Sequence, residues 1–254
     1  MAVHRNKFID GVELSEATSL THLLDSHDRG DNDDEMQTIV HSPYYSETEF
    51  IRLVSTKAGL TILDLNIRNI RLNLDELELF LNRINILNPI SAICLNECWI
   101  GENTPLSDLQ IPNYNMFFQR GTHKGHGHCG LIIYVHEQFN CKQVALCQDA
   151  TAWEYLCVEI SHRTPTSKKF LLCNVYRIPV YTIDEVNIFT EQFSCFLTSV
   201  GKLKHSTFIC GDFNINLLSM NSKLHFNNFF DNVIAKSFFP GLLYRLDYKM
   251  ILIL

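Results

Sequence analysis

The chain has 254 residues, 46% of them hydrophobic, enough for one domain with a core of ordinary size. No run approaches the roughly 18 consecutive apolar residues of a membrane span, and MAVHRNKFIDGVE lacks the apolar stretch of a secretory signal, so neither spanning nor secretion is expected. The net charge of −7 belongs mostly to residues 1–60, where eleven Asp and Glu face five Lys and Arg; the near-neutral remainder neither marks nor excludes a nucleic-acid binder.

Residues 1–57 contain DSHDRGDNDDE, a charged stretch with little to bury, and are expected to form a poorly ordered acidic arm. Within it Ser46 and Glu49 have capping-box spacing for one helical turn. A domain over residues 58–240 follows, with a tail over 241–254. Leu60–Leu65 reads as a strand. Asp75–Leu87 reads as a helix, with Leu77, Leu79, Phe80, Leu81, Ile84 and Leu87 as its apolar positions and Asn88-Pro89 as its stop. Ile90–Leu95 is a second strand, and strand–helix–strand makes the two parallel neighbours. Strands are then expected at Tyr114–Gln119, Gly130–Val135, Trp153–Ile160 and Phe170–Tyr176. Asp184–Val200 is an amphipathic helix, Thr207–Cys210 a strand and Ser222–Ala235 a third helix. Strands flanked by interleaved helices imply an α/β (α+β) fold, a mixed sheet or two packed sheets covered by helices.

Nine cysteines, at 94, 98, 129, 141, 147, 157, 173, 195 and 210, include no C-x-x-C pair. An odd count without a secretory signal points to reduced, mostly buried thiols in the cytoplasm or nucleus. His123, His126, His128 and Cys129 form the one local group with zinc-ligand residue types, though they lie in a Gly-rich turn.

Four segments sit where strands end: Asn66 in LNIRN, Glu97 in LNECW, Tyr176 and Arg177 in NVYRIP, and Asp212 with Asn214 in GDFN. A right-handed crossover sets the first two strand ends side by side, so Asn66 and Glu97 can share a crevice. Extended alternation would point Asp212 and Asn214 the same way and Phe213 into the core, while Gly211 permits a close backbone approach. Few carboxylates with an amide suit Mg²⁺, which keeps waters and phosphate oxygens around it. Phosphodiester hydrolysis needs such a metal, a base for water and donors for the developing charge. Taken singly, each segment is equally a turn, a surface charge or a core edge.

In order, LNIRNIRLNLDEL, LNECWI, GLIIYV, VYRIP and GDFNINLL resemble the apurinic-type endonuclease domain of non-LTR (LINE-type) retrotransposons, within the endonuclease/exonuclease/phosphatase superfamily. The similarity runs over about residues 41–240, and HSPYYSETEF is similar to the segment preceding that domain. The resemblance implies a four-layer α/β sandwich of the DNase I-like type that nicks DNA with Mg²⁺. It implies that Asn66 and Glu97 support the metal, Tyr176 orients the phosphate, Asp212 activates water and Asn214 stabilises the transition state, with Arg68 and Arg177 as substrate contacts. The chain departs from that pattern at Asn69, where Ser is usual, and at KGHGHCG. After Phe239-Pro240 it reads GLLYRLDYKMILIL, with no Ser-Asp-His anywhere. The resemblance therefore implies a sandwich incomplete at its C-terminus and an impaired site, as in a truncated or frameshifted element copy. Two alternatives stand beside the endonuclease: another phosphoesterase of the superfamily acting on a small phosphate ester, and a non-catalytic remnant.

Overall fold

The computed structural model describes residues 2–6, 60–85, 89–121, 129–146, 150–164, 166–179, 182–215, 224–236, 238, 243–246 and 249–252. The first sheet holds β1 (Ala2–Asn6), β2 (Leu60–Asn66), β3 (Ala92–Asn96), β4 (Tyr114–Gln119) and β5 (Leu131–His136), in the order β1-β2-β3-β5-β4. The second holds β6 (Phe139–Val144), β7 (Trp153–His162), β8 (Lys169–Arg177), β9 (Ser206–Asp212), β10 (Leu243–Leu246) and β11 (Lys249–Leu252), in the order β10-β11-β9-β8-β7-β6. Three helices, α1 (Ile70–Ile84), α2 (Ile183–Lys202) and α3 (Leu224–Ala235), complete the described elements, with one 3₁₀ turn at Leu106–Leu109.

The central strands of each sheet, β2, β3 and β5 in the first and β7, β8 and β9 in the second, are largely apolar on both faces because both faces are covered. Leu60, Ile62, Cys94, Leu131 and Ile133 of the first sheet meet Leu156, Val158, Leu172 and Cys210 of the second in a common inner core. The alternate residues of the first sheet, Leu63, Ile93, Leu95, Ile132 and Tyr134, pack beneath α1. Those of the second sheet, Trp153, Leu171, Val175 and Ile209, pack beneath α2 and α3. The result is helix, sheet, sheet, helix. The chain passes from one sheet to the other across Glu137–Gln138, between β5 and β6.

Two parallel pairs frame the site. β2 pairs with β3 with Asn66 opposite Asn96, and β8 pairs with β9 with Tyr176 opposite Asp212. In each pair a helix provides the crossover, so both carboxyl ends open on one side.

The expected strand Tyr114–Gln119 is found with those limits, and most other elements fall within a few residues of expectation. α1 starts five residues earlier than expected, at Ile70, because Arg68 and Asn69 turn left-handed and Asn73 Nδ2 ties the Ile67 and Arg68 carbonyls at 2.8 and 2.9 Å. Leu79, expected on the apolar face of that helix, is exposed; Ile70 and Leu74 complete the buried face. The half-exposed strand β6, FNCKQV, was not anticipated, because its charge and amide hide the apolar alternation. Of the expected acidic arm only Ala2–Asn6 is described, as a strand antiparallel to β2; the remainder, including HSPYYSETEF, lies outside the described residues. Likewise only the β10–β11 hairpin of residues 241–254 is described. Among the described residues no helix is long and apolar enough to cross a membrane.

An aromatic cluster ties α2 and α3 to the second sheet. Phe193 sits against Trp153, Phe196, Phe189, Phe213 and Phe229, with ring centroids 5.4–5.6 Å apart. Phe193→Ala is expected to destabilise the fold by about 3–5 kcal/mol, through lost burial and the cavity left. Urea unfolding checks this; a loss below about 1 kcal/mol would show the cluster to be loosely packed.

Candidate active site

The ends of β2, β3, β8 and β9 bring polar side chains together between the sheets. Asn66 Nδ2 donates to Asp212 Oδ2 at 3.0 Å, and the Asn214 backbone N–H donates to Asp212 Oδ1 at 3.1 Å. Both oxygens of the buried Asp212 carboxylate are therefore held. Tyr176, beside Asp212 in register, donates its hydroxyl to Glu97 Oε1 at 3.4 Å. Burial, then Glu97, pushes the Tyr176 phenol far up, so it remains a hydrogen-bond donor at every working pH. Asn66, Glu97, Tyr176 and Asp212 thus form one group.

The backbone is bent where these residues sit. Arg68, Asn69, Glu97, Trp99 and Asn214 all have positive φ, between 47° and 72°. Such conformations are uncommon for residues with a side chain and gather at functional turns. Here the turns lock together: Ile67 N–H donates to the Asn96 carbonyl at 3.0 Å, Asn69 N–H to the Glu97 carbonyl at 2.9 Å, and Cys98 N–H to the Gly130 carbonyl at 3.0 Å. Gly130 N–H is in turn held by Glu154 Oε2 at 2.8 Å. Gly211 has φ 134°, and a Cβ there would lie 1.9 Å from the Val175 carbonyl oxygen, so glycine allows β8 and β9 to approach beside Asp212.

Asn214 departs from the sequence expectation. β9 ends at Asp212, and Asn214 turns left-handed with φ 48°, so strand alternation no longer sets its direction. Its side-chain N–H donates to the Arg177 carbonyl at 2.6 Å. Phe213 does enter the core, as expected.

Arg177, expected as a substrate contact, is turned inward at 2% exposure. Its Nε donates to the Phe213 carbonyl at 2.7 Å and its Nη2 to the Asn214 carbonyl at 2.8 Å, with the guanidinium over the Phe189 ring. It braces the turn that carries Asp212 and Asn214. Burial lowers its proton affinity, and Asp212 partly restores it. Arg177→Leu should cost about 3 kcal/mol of stability, because two turn carbonyls lose their donors; an unchanged urea midpoint would contradict this bracing role. Arg68, the other expected contact, is exposed at the end of β2, outside the bonded group.

Several buried polar residues were missed. Asp64 is 1% exposed; its Oδ1 accepts from Asn96 Nδ2 at 3.1 Å and its Oδ2 has no partner. Burial, then the charge of Asp212, raises its carboxyl from 3.8 to about 8. Asn174 bridges the sheets, donating to the Leu95 carbonyl at 3.0 Å. Their signal was present: Asp64 and Asn174 each interrupt an apolar strand, in LTILDLN and KFLLCNVYR, and Asn96 ends one, AICLN.

Among the described residues no three His, Cys, Asp or Glu side chains gather as metal ligands; His123, His126 and His128 lie outside them, and Cys129 is buried. That is no obstacle to Mg²⁺, which takes few protein carboxylates. Asn66 Oδ1 is buried without a partner, and an amide oxygen of this kind together with the Glu97 carboxylate is a donor chemistry that fits a hard cation.

No family model matches this sequence, and no curated protein matches it. Among solved structures it is similar to an AP endonuclease from Leishmania major, with a TM-score of 0.51 and 12% identity over 76% of this chain and 78% of that one. It is also similar to the APE2 catalytic domain of Xenopus laevis, with a TM-score of 0.50 and 12% identity over 68% and 67%. Such identity speaks for fold alone: the chain has a DNase I-like α/β sandwich.

Proposed function

We propose that this chain is a Mg²⁺-dependent phosphodiesterase of retrotransposon origin that nicks DNA, acting in the nucleus or cytoplasm. The observation that carries the reading is the meeting of Asn66, Glu97, Tyr176 and Asp212 at the ends of two parallel strand pairs. The ordered LNIRN, LNECW, VYRIP and GDFN segments favour a DNA nick over other phosphoester chemistry.

Glu97 and Asn66 Oδ1 are the groups that would hold Mg²⁺, which supplies positive charge beside the phosphate oxygens. Asp212 takes the proton of the attacking water; Asn66 and the Asn214 N–H fix the carboxylate for this beforehand. The Tyr176 hydroxyl, beside Asp212, can donate to a phosphate oxygen in place of Glu97. Asn214 has a second amide hydrogen for the oxygen where charge builds, its first being held by the Arg177 carbonyl.

The substrate class is tested by incubating the chain and Mg²⁺ with supercoiled plasmid and with a panel of small phosphate esters. Mg²⁺-dependent nicking with no ester turnover supports the reading. Ester turnover without nicking replaces it with a phosphatase, and neither activity replaces it with a remnant.

A further inference from the structure

Cys157 on β7 and Cys173 on β8 are direct register partners, and their sulfur atoms lie 2.8 Å apart. Both are buried, in the core formed with α2. Opposed residues of an antiparallel pair have Cα atoms ~4.5–5.5 Å apart, inside the ~4.4–6.8 Å that a disulfide spans. Closing the sulfur gap therefore asks no strand to move. Neither thiol belongs to the group around Asp212.

We propose that Cys157 and Cys173 form an oxidisable dithiol site, closing to a cross-strand disulfide with a hydroperoxide and reopening with a small-molecule thiol. With hydrogen peroxide, one cysteine thiolate attacks a peroxide oxygen, giving a sulfenic acid and one water. The second sulfur then displaces the sulfenic hydroxyl, forming the S–S bond and releasing a second water. Two electrons pass from the sulfurs to the peroxide, and both thiol protons leave in the waters. Reopening consumes two reductant thiols, which depart joined as their own disulfide.

Thiolate is the reacting form, and burial pushes the Cys173 thiol well above its ordinary range. Closure is therefore slow in the intact fold and waits on local opening of the layer above it. The same burial shields the closed bond. Cys195, which is exposed, gives an internal standard for the oxidant.

The test uses the full chain treated with hydrogen peroxide, quenched by alkylation and digested without reductant. Mass spectrometry should find peptides carrying Cys157 and Cys173 joined, lighter by two hydrogens than their sum and separated by dithiothreitol. They should appear after Cys195 is modified. Oxidation should raise the thermal midpoint by roughly 5–10 °C, since the bond closes a short loop in the unfolded chain. Cys157→Ser and Cys173→Ser should each lose the joined peptide and that rise. Complete modification of Cys195 while Cys157 and Cys173 both remain open to alkylation after unfolding would overturn the proposal. So would joining mainly to other cysteines. Peptide mapping of the unsubstituted chain decides the matter even if a variant fails to fold.

Discussion

Asp64→Asn is expected to stabilise the fold at neutral pH and to remove most of its pH dependence between about pH 4 and pH 8. Asp64 lies wholly inside the sandwich, with one oxygen on Asn96 Nδ2 and the other unpartnered. Burial and the nearby Asp212 charge raise its carboxyl from 3.8 to about 8. Below about pH 4 the group is protonated in both the folded and the unfolded chain. As pH rises the unfolded chain releases its proton first, while the folded chain keeps it until about pH 8. Over that window the folded state binds more protons, so stability falls with pH. The contribution is full below the unfolded value and gone above the folded one.

Asparagine keeps the shape, retains an acceptor for Asn96 and carries no charge to desolvate. The gain at pH 8 should be several kcal/mol, at most on the order of 5. Urea unfolding of both proteins at pH 5, 6, 7 and 8 gives the answer. Wild-type stability should fall across the series while the variant stays nearly level. Rising wild-type stability over the same range would mean that Asp64 ionises normally.

The sequence was most informative where periodicity and strand termini coincide. β2, β3, β8 and β9 each announce themselves as apolar runs, and Asn66, Glu97, Tyr176 and Asp212 stand at or just past their ends. Parallel pairing of β2 with β3 followed from the intervening helix. What could not be read was set by tertiary context. Arg177 follows Tyr176 and looks like a phosphate contact, but the turned chain after Asp212 offers two carbonyls that draw it inward. Asn214 could not be aimed from strand alternation because the strand stops two residues earlier and Asn214 itself takes a positive φ that sequence does not reveal. Asp64 is hard to place from sequence because carboxylates are ordinarily exposed, although a lone one within the apolar run LTILDLN marks a buried position.

The second large effect concerns the site itself. Glu97→Ala removes the carboxylate that faces Tyr176 and fits a cation, and Asp212→Asn removes the base while keeping an amide for local hydrogen bonds. Each should lower Mg²⁺-dependent nicking by ~10²–10³ or more. Residues acting as one unit are not additive, so the double variant should be little worse than either single change. Circular dichroism and the urea midpoint must show that both variants remain folded.

Supercoiled-plasmid nicking by the purified 254-residue chain, with Mg²⁺ or with chelator, beside Glu97→Ala and Asp212→Asn, tests the central claim most directly. The expected result is nicking by the wild type that chelator abolishes and both variants lack. Nicking undiminished in either folded variant, or none from folded wild-type protein at stoichiometric concentration, would contradict it.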